Sequence, residues 1–355
     1  MLVLLLLLDA SRASADLCIP PILGERPRLH DLGRVQVMWL DLLMRRHEVC
    51  WREPDTPDEE RIFALGNSTI FGFPLPPDRT AIGLVNRRFE NLHVPAHVFN
   101  LGFVFTYQLK DLLILSAALP YAPDMIVYGV TLDDLVHLAP MPYPAMEEIF
   151  DANSALVERL AENPPPTFAQ PLRSYRDRQA KTVRPLAAWI DLRQTGSFVR
   201  SSAADLARAL RKWMFPAFPD ERPAIQRVDP HYPCAPVLRQ YESTFVDWQD
   251  WSMLDYLAQL RDEQGIEVLI VNWPVAHQPR GACYNVRYPA SAVEEYVAWM
   301  RNRTQALDLP YLDLHDLLKL NEFVDSLHPT ARGQAKVAAR LAAKLEAMLE
   351  QRPKR

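Results

Sequence analysis

Short, nearly continuous apolar runs punctuate the chain, separated by longer stretches in which apolar residues recur at helical spacing. Five runs read as strands: Arg61 to Leu65 (RIFAL), His97 to Leu101 (HVFNL), Asp124 to Gly129 (DMIVYG), Ile266 to Asn272 (IEVLIVN) and Leu309 to Leu314 (LPYLDL). None alternates strictly between polar and apolar, as expected of strands buried on both faces of a parallel sheet. Helical patterns lie at Gly33 to Arg46, Tyr107 to Leu119, Trp251 to Gln264, Ala290 to Leu307 and Thr330 to Gln351. Strand and helix therefore alternate, which predicts a doubly wound, three-layer α/β/α core with about five parallel strands.

From about Thr131 to Gln264 the rhythm breaks. Helical segments such as PAMEEIFDANSALVERLAEN and SSAADLARALRKWMF are joined by proline-rich stretches at Pro164-Pro165-Pro166 and between Pro216 and Pro230. Residues 135–250 read as a mostly helical insertion between the third and fourth strands, inside a domain spanning 61–349. An insertion leaving the carboxyl edge of an open sheet departs from where such sheets place ligands, so it is expected to act as a cap that shapes the substrate site. The alternative is a helical extension against the outer face of the sheet.

Ahead of this domain, residues 16–60 form a helical lead-in that ends in the charged, proline-broken CWREPDTPDEE. Residues 1–15 hold the apolar run Leu2 to Leu8 and then Ala13-Ser14-Ala15, which resembles a signal-peptidase site. The run is too short to span a bilayer and has no basic residue before it. The expectation is a protein exported, or anchored and facing the periplasm or cell envelope, with a cytoplasmic location as the alternative.

Composition narrows the function. A net charge of −5 and a pI near 6.0 leave no electrostatic footprint for nucleic acid. The four cysteines, Cys18, Cys50, Cys234 and Cys283, lack zinc-site spacing, and His93 and His97 straddle the start of a strand and cannot share a helical face, so no metal and no cofactor is expected. In an oxidising compartment the cysteines allow up to two disulfides, Cys18–Cys50 with Cys234–Cys283 being one of three connectivities.

Two separated stretches carry candidate chemistry. In LGNSTIFGF, Ser68 follows the first strand and opens the next helix, where it is either a nucleophile at the carboxyl edge of the sheet or a helix N-cap. In DSLHP, Asp325 precedes His328 by three residues, a spacing that sets the carboxylate beside imidazole Nδ1 and frees Nε2 to accept a proton. In a doubly wound fold the loop before the last helix reaches the same edge as the end of the first strand, so serine and histidine can meet.

With these residues in place, the sequence resembles the SGNH, or GDSL-type, hydrolase family in four blocks: LGNSTIFGF, VFNLGFVFTYQ, PDMIVYGVTLDDL and DSLHP. The resemblance implies a flavodoxin-like fold and a Ser68–His328–Asp325 triad. It implies an oxyanion hole built from the backbone N–H groups of Ser68 and Gly102 and a side chain from the third block. Asn67 stands where the family usually has aspartate. The third block departs further: the family pattern Gly-x-Asn-Asp is replaced by Gly129-Val130-Thr131-Leu132-Asp133-Asp134, which puts Thr131 at the position of the oxyanion asparagine. Threonine can donate one hydrogen bond, whereas an ionised Asp133 only accepts.

Asn67, Asp134 and His277 are candidate pocket residues; Trp273 and Tyr107 can line a pocket, although aromatic residues beside strands are more often core. The expected function is serine-dependent hydrolysis of an ester, such as carbohydrate O-deacylation, on a small-molecule or glycan substrate. The alternatives are O-acyl transfer to a cell-envelope glycan, and a non-catalytic envelope protein on the same fold that binds glycan or a membrane acyltransferase partner.

Overall fold

The computed structural model describes residues 18, 28, 39–104, 108–135, 149–150, 153–169, 172–173, 252–276, 290–325 and 327–352. At its centre lie β1 (Glu60–Gly66), β2 (Ala96–Asn100), β3 (Met125–Val130), β4 (Glu267–Asn272) and β5 (Tyr311–Asp313), in the spatial order β2-β1-β3-β4-β5. All four pairings are parallel. Each strand falls on one of the five apolar runs, with no end moved by more than two residues. The order reverses direction between β1 and β3, and open sheets of this kind take ligands at the carboxyl end of that switch point.

The described helices are α1 (Leu40–Arg46), α2 (Glu48–Trp51), α3 (Ser68–Phe71), α4 (Ala81–Leu92), α5 (Gln108–Ala118), α6 (Leu132–Leu135), α7 (Ser154–Glu162), α8 (Ser252–Gln264), α9 (Ala290–Ala306) and α10 (Ala331–Glu350). Successive strand residues point to opposite faces, which divides the core in two. Phe63, Leu65, Phe99, Ile126, Tyr128, Val268 and Ile270 pack with α1, α5, α8 and α9. Ile62, Ala64, Val98, Met125, Val127, Leu269 and Val271 pack with α4 and α10. Both faces are thus covered, and this is why the strands read as unbroken apolar runs.

Helix α4 falls in a stretch where no element was expected. Ala81, Ile82, Val85 and Phe89 form its buried stripe and the Thr80 hydroxyl accepts from Gly83 N–H at 3.1 Å. The threonine N-cap and that spacing were the available signals; Gly83 and the polar run through Asn86-Arg87-Arg88 obscured them. The described beginning of the insertion packs on the helix layer. Ile149, Phe150, Val157, Phe168 and Leu172 join the apolar cluster on the α5 face, and Asn153 Oδ1 accepts from Leu40 N–H at 2.9 Å. This part extends the helix layer; the rest of the insertion, including residues 174–251, and with it the expected cap, lies outside the described residues.

Two tethers lie at the outer limits of the described residues. Cys18 and Cys50 form a disulfide, one of the pairings the sequence allows, while Cys234 and Cys283 lie outside the described residues. At the other end, Arg352 donates from Nε to Glu267 Oε1 at 2.7 Å and from Nη2 to the Asp124 carbonyl at 2.9 Å, and it also pairs with Glu60. Among the described residues, no helix is long and apolar enough to cross a membrane.

One packing detail sets the turn after β1. Gly66 lies opposite Gly129 in the β1–β3 pairing, and together they leave a gap that the Ile70 side chain fills. A Cβ on Gly129 would sit 1.9 Å from Ile70 Cδ1, and Gly66, at φ +143°, could carry none without meeting the Gly129 carbonyl at 2.5 Å. Ile70 belongs to α3, so this plug fixes α3 against two strands. Gly129→Ala is expected to destabilise the protein by about 1–3 kcal/mol through overpacking. Adding Ile70→Val, which removes Cδ1, should recover part of that loss in urea unfolding.

Candidate active site

The turn at the end of β1 answers whether Ser68 is a cap. The N-cap of α3 is Asn67, whose Oδ1 accepts from Thr69 N–H at 2.8 Å and from the Thr69 hydroxyl at 2.7 Å. Ser68 is the first helical residue, so its hydroxyl has no capping duty. It stands 2.8 Å from His328 Nε2.

A closed loop supplies the histidine. Phe323 and Pro329 form an antiparallel bridge, Val324 N–H donates to the His328 carbonyl at 2.8 Å, and Thr330 N–H donates to the Glu322 carbonyl at 2.8 Å. Inside the loop, Asp325 Oδ1 accepts the backbone N–H groups of Leu327 and His328, each at 2.9 Å. His328 Nδ1 lies 2.7 Å from Asp325 Oδ2 and 2.9 Å from Oδ1. A carboxylate there requires the proton on Nδ1, which leaves Nε2 as the acceptor facing Ser68. Burial alone would raise the Asp325 pKa, but the hydrogen bond and charge of His328, with those two N–H groups, bring it down to about 2. Phe73 presents its ring to the His328 imidazole, with centroids 5.1 Å apart and planes at 68°.

The expected oxyanion donors fare differently. Among the described residues the Ser68 N–H meets no acceptor. Gly102 N–H, expected to be free, donates to Asn100 Oδ1 at 3.1 Å. Thr131, expected to stand in for the missing asparagine, is fully buried, and its hydroxyl donates to Asp134 Oδ2 at 2.9 Å. The reason is local: Thr131-Leu132-Asp133-Asp134 is a capping-box sequence, and Asp134 Oδ2 reaches back to the Thr131 N–H at 2.7 Å.

Asp134 is therefore a bonding partner of the turn and does not line an open pocket. Its Oδ2 takes a further bond from Asn67 Nδ2 at 2.8 Å, while the same Nδ2 donates to Thr131 Oγ1 at 3.1 Å. Asn67 and Asp134 are each about 1% exposed, and Asp134 Oδ1 has no partner among the described residues. Burial first, and then the charge of Asp111, push the Asp134 carboxyl up to about 7 against the bonds from Thr131. Asp111 belongs to a second buried group beneath the same turn. Lys110 Nζ lies 2.8 Å from Asp111 Oδ1 and donates to the carbonyls of Gly66 at 3.1 Å and Phe103 at 3.2 Å.

Of the remaining expectations, His277 and Tyr107 lie outside the described residues, and Trp273 is core, packed beside Gly129. His97 is buried in β2 with Nε2 3.3 Å from Glu48 Oε1, and His93 ends α4 in the left-handed region.

No family model matches the chain, and no curated protein matches it. Solved structures do superpose on it. A carbohydrate acetylesterase family member from Sinorhizobium meliloti is 13% identical, with 82% of this chain and 99% of that one covered at a TM-score of 0.38. A lipase/acylhydrolase from Enterococcus faecalis is 13% identical, covering 83% and 99% at 0.41. An aryl esterase from M. smegmatis is 12% identical, covering 81% and 99% at 0.40. Superposition at this level carries no argument of its own; the sheet order and the geometry within this chain do.

Asn67→Asp, which installs the residue more usual in the resembled family, would set a second acid against Asp134 and remove the shared donor. A loss of about 2–4 kcal/mol is expected in denaturant unfolding, from the broken buried bonds. The double variant Asn67→Asp/Asp134→Asn should recover most of it, a coupling that a double-mutant cycle measures. The pH dependence has a definite sign. With its pKa raised to about 7, folded Asp134 keeps a proton that an unfolded aspartate, near 3.9, releases. Its contribution to stability is thus full below about pH 4, declines as pH rises through about 7, and is constant above. Asp134→Asn should remove that decline from unfolding curves recorded between pH 4 and 8.

Proposed function

We propose that the chain is a serine-dependent hydrolase of ester bonds. The supporting observation is the relay in which Ser68 Oγ stands 2.8 Å from His328 Nε2 while Asp325 holds Nδ1 at 2.7 Å, built from residues 260 positions apart in the chain. In this reading Ser68 attacks the ester carbonyl as His328 takes its proton, and Asp325 orients the imidazole and stabilises its charged form. The collapsed intermediate releases the alcohol, protonated by His328. Water, activated by the same imidazole, then frees the acid.

Charge developing on the carbonyl oxygen meets the Ser68 N–H first. Gly102 N–H can join only by exchanging its bond to Asn100, and Thr131 is committed to Asp134. Each missing oxyanion donor costs on the order of 10²–10³ in kcat, so turnover is expected to be slow relative to a site with three free donors. That shortage also favours a second reading, a non-catalytic binding protein for envelope glycan esters on the same fold. Transfer of the acyl group to a glycan hydroxyl instead of water uses the same acyl-enzyme. The proposed setting is the exported one, which the Cys18–Cys50 disulfide supports because such bonds persist in oxidising compartments.

Purified protein treated with a fluorophosphonate probe and with p-nitrophenyl acetate tests the assignment. Ser68→Ala and His328→Ala should each abolish labelling, and Asp325→Asn should slow it by roughly 10³–10⁴. A folded wild-type protein that neither labels nor turns over would leave the binding reading. Acylated product formed on added sugar alcohols would identify transfer.

A further inference from the structure

Arg28 reaches the loop that follows the Ser68 helix. The Arg28 guanidinium is buried, its Nη1 donates to the carbonyls of Phe71 and Leu75, both at 2.9 Å, and its Cζ lies 3.7 Å from the centroid of the Phe71 ring. These contacts bracket one short loop. Phe71 ends α3, which begins at Ser68; Gly72 comes next in the left-handed conformation, and Phe73 sets its ring against His328. A buried guanidinium with carbonyl oxygens and an aromatic face around it is suited to fixing the backbone on either side of such a loop.

We propose that Arg28 is a positioning residue of the site: by joining the carbonyls of Phe71 and Leu75 it holds the loop between them, and through Phe73 it sets the imidazole of His328 against Ser68. The inference rests on the reading of Ser68 and His328 as nucleophile and base, and Arg28 touches no reacting atom. The plug of Ile70 between Gly66 and Gly129 fixes the start of α3, and the Gly72 and Phe73 N–H groups donate to the Ser68 carbonyl, each at 3.0 Å. Arg28 adds a side-chain support that joins the two ends of the loop.

The test compares full-length wild type, Arg28→Ala and Arg28→Lys. Fluorophosphonate labelling is measured below the thermal midpoint of each variant, and the His328 imidazole proton resonances are recorded by NMR. A misplaced reacting group costs up to about 100-fold, so Arg28→Ala should label roughly 10- to 100-fold more slowly. Arg28→Lys should recover part of the rate, and millimolar methylguanidine should restore Arg28→Ala but leave wild type unchanged. The His328 resonances of Arg28→Ala should shift as the Phe73 ring moves, and return with methylguanidine. Unchanged resonances would overturn the proposal, and so would a slowed rate that neither lysine nor methylguanidine restores. Because the resonances report the loop whether or not Ser68 reacts, a wild-type protein silent toward the probe would count against the nucleophile alone.

Discussion

The amide of Asn67 is the junction on which the site depends. One side chain caps α3 through Oδ1 and, through Nδ2, ties the end of β1 to the Thr131–Asp134 turn after β3. It does this at the switch point of the sheet, where two neighbouring strands send their chains to opposite faces and leave a crevice. Only a side chain with both a donor and an acceptor end can serve, since Thr69 offers donors and Asp134 offers an oxygen. With Asn67 taking the capping role, the hydroxyl beside it remains available to His328.

Around that junction, apolar packing and buried polar groups divide the work. Ile70 filling the gap between Gly66 and Gly129 sets the height of α3 over the sheet, and Lys110 holds the Gly66 carbonyl from beneath. The imidazole arrives from elsewhere, on a loop closed by the Phe323–Pro329 bridge and centred on the Asp325 carboxylate. A buried amide, a buried cation and a short bridge thus bring together residues from the two ends of the domain, each satisfied locally before it contributes to the site.

How legible a feature is in the sequence depends on how local its cause is. The strands could be read because burial on both faces demands continuous apolar residues. The histidine pair could be read because Asp325 and His328 lie within one turn of chain. The fate of Thr131 was harder, since a hydroxyl at the right position in a motif says nothing about which acceptor it meets; the capping-box spacing to Asp134 was the one clue. The engagement of Gly102 by Asn100 is local, an asparagine oxygen taking the N–H two residues on, and Asn100 two places before Gly102 was its signal; the placement of Arg28 is a tertiary fact with no periodic signal. The packing of the insertion's first described residues on the α5 layer is also tertiary, since their apolar positions do not say which surface accepts them.

The bonded set of Asn67, Thr131 and Asp134 bears on how such a site tolerates substitution. Counted position by position against the SGNH pattern, asparagine for aspartate in the first block and threonine with a displaced aspartate in the third look like independent departures. Physically they are one: the acid that took up the threonine hydroxyl needs an amide opposite it, and an amide at 67 needs an acceptor. The set therefore tolerates change only as a unit: altering one member alone would leave a buried acid against another acid or a donor with nothing to receive it.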